Sequence, residues 1–78
     1  MKKYSMIKKA NGRRFRYNYQ TDNLECVVRY QGKWMVSEMI GVSRNDWRRK
    51  YSRNAIIDDF CEMIADHEFS EKFNIIVA

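Results

Sequence analysis

Proline is absent from the 78 residues, glycine occurs three times, cysteine twice and histidine once. With 45% hydrophobic residues beside so few chain breakers, the sequence allows one compact domain over residues 1–78, with short connections and a small core. A core of that size leaves stability marginal. A second copy of the chain, in a homodimer, is one way such a domain gains what it lacks.

The other scarcities exclude chemistry. A single histidine, His67, gives no set of nucleophile, base and orienting group, so an enzyme is not expected, and no cofactor is implied. Cys26 and Cys61 are too few and too far apart for a metal knuckle or a C-x-x-C redox motif, and as apolar neighbours surround both they read as buried free thiols. The carboxylates of Asp58, Asp59, Glu62 and Asp66 have no liganding His or Cys close in sequence, which argues against a metal site. No apolar run approaches membrane-spanning length, and M-K-K-Y-S-M-I-K-K-A lacks the apolar stretch of a signal peptide. A cytoplasmic protein without a membrane partner is expected.

Charge is abundant and unevenly placed. Fourteen of the 15 Lys and Arg but only four of the ten acids fall within residues 1–53, an excess of ten positive charges, whereas residues 54–78 hold one Lys against six acids. A protein that neutralises phosphates needs the first kind of surface and keeps the second turned away.

The first twenty residues read as a hairpin about Asn11-Gly12. Centring on that turn pairs Tyr4 with Tyr19, Met6 with Tyr17 and Lys8 with Phe15, an apolar and aromatic face, while Lys3, Lys9, Arg14 and Arg16 lie on the other. In L-E-C-V-V-R-Y the side chains of Leu24, Cys26, Val28 and Tyr30 share a face, and Gln31-Gly32 stops this third strand. A three-stranded antiparallel meander over residues 1–34 results. Its aromatics Phe15, Tyr17 and Tyr19 could stack unpaired bases, though such a stripe is more often core.

The stretch V-S-E-M-I-G-V-S-R-N-D-W-R-R-K-Y, within residues 35–51, reads as a helix-turn-helix. Val36, Met39 and Ile40 fall at helical spacing, Gly41 can end that helix, and Ser43 with Asp46 forms a capping box for a second one. On the second helix Trp47 and Tyr51 face inward, and Asn45, Arg48 and Arg49 face outward. Asn and Arg can make paired bonds to adenine and guanine in the major groove, which makes these three the expected readers. Ser43, Arg44, Lys50, Arg53, Arg14, Arg16 and Lys33 complete the expected nucleic-acid surface. Two other readings stand beside this one: Lys33 to Ile40 as a strand, and R-R-K with Arg53 as a solvated charge run.

Beyond Arg53, Asn54 reads as an N-cap for an amphipathic core helix over residues 54–68, with Ile56, Ile57, Phe60, Cys61, Met63 and Ile64 inward and Asp58, Asp59, Glu62 and Asp66 outward. His67 would pack at its end. F-N-I-I-V-A reads as a final strand over 72–77.

Q-G-K-W-M-V-S, R-N-D-W-R-R-K and A-I-I-D-D-F together give residues 24–66 a resemblance to the KilA-N and BRO-N type domains of phage and large DNA viruses. Gly32, Trp34, Asn45, Asp46, Trp47 and Ile57 occupy matching positions, while M-V-S stands where those domains carry N-A-T. The resemblance implies DNA binding in a phage or mobile-element regulator. The expected protein is thus an α+β domain, a three-stranded meander followed by a helix-turn-helix, a core helix and a short C-terminal strand, that binds duplex DNA and regulates transcription. The alternatives are a small phage-type protein that inhibits a host protein or ribonucleoprotein, and an RNA binder using the aromatic sheet.

Overall fold

Two short turns set the sheet. At Asn11-Gly12 both residues take positive φ, 52° and 74°, and at Gln31-Gly32 they do so again, 49° and 76°. That pair of left-handed residues matches the right-handed twist of flanking strands, so each turn closes a tight hairpin. The computed structural model describes residues 2–73, with side chains described for residues 2–68. Its order is β1 (Lys8–Ala10), β2 (Arg13–Asn18), β3 (Asn23–Tyr30), β4 (Lys33–Gly41), α1 (Arg44–Arg48) and α2 (Lys50–Phe73). The strands form one antiparallel sheet in the order β1-β2-β3-β4.

The sheet has four strands, not three, and residues 35–51 form no helix-turn-helix, since Lys33–Gly41 is a strand. Val36, Met39 and Ile40 lie in β4, because the turn at Gln31-Gly32 returns the chain along β3 and pairs Lys33 with Tyr30 and Trp34 with Arg29. Backbone groups that a helix would have paired locally are taken up by a neighbouring strand. The register slips between Cys26 and Val27, which pair with Glu38 and Val36 and leave Ser37 as the extra residue of a β-bulge. The Ser37 hydroxyl donates to the Cys26 carbonyl at 3.2 Å.

The hairpin register about Asn11-Gly12 is found as expected at Lys8 with Phe15, but not further out. Tyr4 pairs with Asn18 rather than Tyr19, since the Ser5 hydroxyl accepts the Tyr17 amide at 2.9 Å and Ser5 donates its own amide to the Tyr17 carbonyl. That one-residue displacement moves Tyr4 to the opposite face, and Met6 is left exposed.

One face of the sheet is covered by helix. Phe15, Tyr17, Leu24 and Cys26 from the strands, Trp47 from α1, and Ile57, Phe60 and Ile64 from α2 form the buried cluster, with the Phe15 and Phe60 rings 5.6 Å apart. Ile57, Phe60 and Ile64 fall at the i, i+3, i+7 spacing that gives a helix its buried stripe. Ile56 and Cys61 are half-buried, whereas Met63 is exposed. Val28 and Tyr30 share the face of Leu24 and Cys26 as expected, yet both are exposed. Three polar contacts fasten the β1–β2 hairpin to α2: Lys8 to Asn54, Asn11 to Asp58, and Arg13 to both oxygens of Glu68. The Glu68 carboxylate, by hydrogen bond and then by charge, pushes the Arg13 guanidinium above its ordinary value.

The core helix begins four residues before the expected start, so Asn54 lies inside α2 and is not its N-cap. His67 is likewise inside the helix rather than at its end. Of the expected C-terminal strand, Lys72 and Phe73 are helical, and residues 74–77 lie outside the described residues.

Candidate nucleic-acid interface

The opposite face of the sheet carries no helix among the described residues and gathers Lys9, Arg14, Arg16 and Arg29. Arg14 and Arg16 alternate with the buried Phe15 and Tyr17 on β2, so they point away from α2. Their β3 partners are Val27 and Glu25, and the alternation continues through Arg29 to its partner Trp34 on β4. Two guanidinium groups lie over the half-buried Trp34 ring, with Arg29 Cζ 5.0 Å and Arg14 Cζ 5.8 Å from its centroid. Both distances lie within cation–π range. Beside them a hollow of about 330 Å³ is lined by Arg14, Arg29, Val27 and Ser37, and no acidic side chain lines it. Val27, only 2% exposed, belongs to this face and not to the helix-side cluster.

Arg16 holds this face together. It forms an ion pair with Glu25 at 2.8 Å, with both side chains largely buried, and Asn18 Nδ2 donates to the other Glu25 oxygen at 3.3 Å. The Tyr4 ring covers the pair, 3.7 Å from Arg16 Cζ to its centroid. Arg16 is therefore neutralised in place. Lys9, opposite Arg14 in the register, adds an exposed cation.

The second group of expected residues surrounds α1, which is a single turn of five residues. Ser43 is its N-cap by position but makes no side-chain cap, so the capping box does not form. Arg49, with ψ near 104°, breaks the helix before α2. Trp47 is buried as expected, but the break removes the helical relation to Tyr51, which is 82% exposed. The Ser52 hydroxyl lies 3.1 Å from the Asp46 carbonyl and 3.0 Å from that of Arg49, capping the orphan end of α1.

Arg44 and Arg53, both expected at the nucleic-acid surface, are each tied to the fold by their own contacts. Arg44 places Nε and Nη2 each 3.1 Å from one Asp22 oxygen and also donates to the Tyr19 carbonyl. Asp22 in turn accepts from the Tyr17 hydroxyl, which also lies 2.8 Å from the Val42 carbonyl. Burial first, and then the bond to Asp22, raise the Tyr17 phenol to about 12. Arg53 donates to the Trp47 carbonyl, with its guanidinium 5.1 Å from the indole centroid. Asn45, Arg48, Arg49 and Lys50 are exposed and make no side-chain hydrogen bond among the described residues. Lys33 pairs with Tyr30 at the hairpin tip, on the side of Val28 and Met35 rather than of Trp34.

Of the ten expected residues, then, only Arg14 and Arg16 stand on the open sheet face. Arg29, Trp34 and Tyr4, which stand on the same face, were not among the ten. The signal for the first two was Gln31-Gly32, since folding the sequence back at that turn sets Arg29 opposite Trp34.

No family model, no curated protein and no solved structure matches the chain. Of the residues on which the expected resemblance to KilA-N and BRO-N type domains rests, Gly32 lies in the β3–β4 turn, Trp34 in a strand, and Asn45, Asp46 and Trp47 in α1. Among the described residues no helix is long and apolar enough to cross a membrane, and no group of three His, Cys, Asp or Glu side chains is placed to hold a metal ion.

Proposed function

We propose that this protein binds nucleic acid with the open face of its sheet, Arg14, Arg29 and Lys9 meeting phosphates and Trp34 meeting an unpaired base. The observation that carries it is the pair of arginines over the Trp34 ring on a face without a helix, while the acidic residues of α2 belong to the other layer. An aromatic ring set among cations suits single strands, because every base has a π-face and every nucleotide a phosphate. Such a partner implies a cytoplasmic protein.

Duplex DNA is the second reading, favoured by the exposure of Asn45, Arg48, Arg49 and Lys50. A single-turn α1 cannot lie along a major groove as a recognition helix does, so this contact would engage phosphates with little base selectivity. A regulator of transcription would then need its specificity from elsewhere.

Fluorescence anisotropy against single-stranded RNA, single-stranded DNA and duplex DNA over a range of salt tests both readings. Single strands should bind more tightly than duplex, quench Trp34 emission, and lose affinity linearly in log salt. Arg14→Gln and Arg29→Gln should each shallow that slope by about one unit. Binding to none of the three nucleic acids would overturn the proposal and leave an acidic protein surface as the partner of this face.

A further inference from the structure

A second cluster of cations lies apart from the open face, where the N-terminal segment passes over α1. A cavity of about 400 Å³ there is lined by Lys2, Lys8, Arg53, Tyr19, Met6 and Trp47, among others, and no acidic side chain lines it. Its size is within the range of small-molecule sites. Trp47 is 5% exposed, and its indole N–H is buried with no hydrogen-bond acceptor. A buried donor without an acceptor is unfavourable in a folded protein, and such groups are rare. Around it, Arg53 Nε donates to the Trp47 carbonyl, Lys8 donates to Asn54, and the Ser5 hydroxyl accepts from the Tyr17 amide and donates to the Met6 carbonyl. Among the described residues the buried indole N–H has no acceptor, in a cavity whose wall also carries Lys2, Lys8 and Arg53.

We infer that this cavity binds a phosphate monoester with an apolar or aromatic body, the phosphate oxygens accepting from Lys2, Lys8, Arg53 and the Trp47 indole N–H. Met6 and Tyr19 line the same cavity and would receive the body of the ligand. A phosphate suits the site because it supplies several acceptor oxygens and a double negative charge to a group of donors that have no anion of their own. The inference goes beyond the sheet-face proposal and shares no residue with it.

The two tryptophans make the test specific. In a ¹⁵N–¹H spectrum Trp47 and Trp34 each give one indole cross-peak, and Trp34→Phe assigns them by removing one. Titration with phenyl phosphate should move the Trp47 cross-peak to saturation and leave that of Trp34 in place, while phenol should not move it. A Lys2→Gln variant, which leaves the Lys8–Asn54 contact in place and is checked for an unchanged melting temperature, should bind several-fold more weakly. A trinucleotide carrying a 5′-phosphate, compared with its 5′-hydroxyl counterpart, then distinguishes a strand end from a free small molecule as the source of the phosphate. The inference is overturned if the Trp47 cross-peak stays still, if only Trp34 responds, or if sodium chloride at matched ionic strength produces the same shift. The sheet-face proposal would survive all three results.

Discussion

The indole of Trp47 lies parallel to the ring of Tyr17, with 9° between the planes and 5.1 Å between the centroids. This stack joins the single-turn helix α1 to the centre of the sheet, since Tyr17 is fully buried on β2 and its hydroxyl reaches the loop that enters α1. Trp47→Ala should therefore cost ~3–5 kcal/mol, a large share of the stability of a 78-residue domain. Trp34→Ala should instead leave denaturant unfolding nearly unchanged while weakening single-strand binding. Chemical denaturation of the two variants side by side checks this, and equal destabilisation would contradict the division of the tryptophans between core and surface.

Arg16 and Glu25 form a buried ion pair, and removing one partner strands the other's charge. Glu25→Ala is expected to destabilise by ~3–5 kcal/mol, whereas replacing the pair together, Arg16→Met with Glu25→Leu, should cost far less. The measurement is the coupling energy from a double-mutant cycle. A coupling near zero would mean that the pair is solvated in solution.

Tyr17 gives the stability a pH dependence on the alkaline side. Its phenol is raised in the folded protein to about 12 from an ordinary value near 10, so the neutral form is the one the fold favours. The contribution is fully present below the unfolded value and is lost as pH rises through the interval from about 10 to about 12. Tyr17→Phe should flatten this loss in urea midpoints taken across that interval, after subtraction of the change common to both proteins. Absorbance at the phenolate band should also show one of the five tyrosines ionising last.

Gln31 occupies a left-handed conformation, φ 49°, that glycine or asparagine adopts more readily. Gln31→Asn should stabilise the β3–β4 hairpin by up to ~1 kcal/mol, because an ordinary L-residue there carries roughly 1–2 kcal/mol of strain. Thermal melting would register this as a rise of a few degrees. A fall would show that the Gln31 side chain contributes something beyond its backbone conformation.

The mistaken helix over residues 36–40 has an identifiable cause. Ser37 is an extra residue in β4, so Met35 shares a face with Val28 before it, while Glu38 and Ile40 share a face with Cys26 and Leu24 after it. The bulge breaks strand alternation and leaves Val36, Met39 and Ile40 at intervals of three and four, which imitates a helical stripe. The false capping box at Ser43 and Asp46 then extended the error. Its second helix does begin there, but it ends at Arg49, where the chain turns extended and α2 starts afresh.

Local chemistry determined much of the rest. Asn11-Gly12 placed a hairpin with Lys8 opposite Phe15, the period of Ile57, Phe60 and Ile64 placed the buried side of α2, and Trp47 was inward-facing by sequence alone. Turn residues and hydrophobic periods act over a few positions, so a single sequence displays them. Arg29 beside Trp34 and Arg14, the fastening of Arg44 to Asp22 and of Arg53 to Trp47, and the transfer of Tyr4 to the open face were decided only by the tertiary structure. Each depends on a strand register or a packing distance between segments far apart in the chain. One residue of slip at Ser5 or Ser37 reverses which side chains meet, and the sequence carries no local mark of that slip.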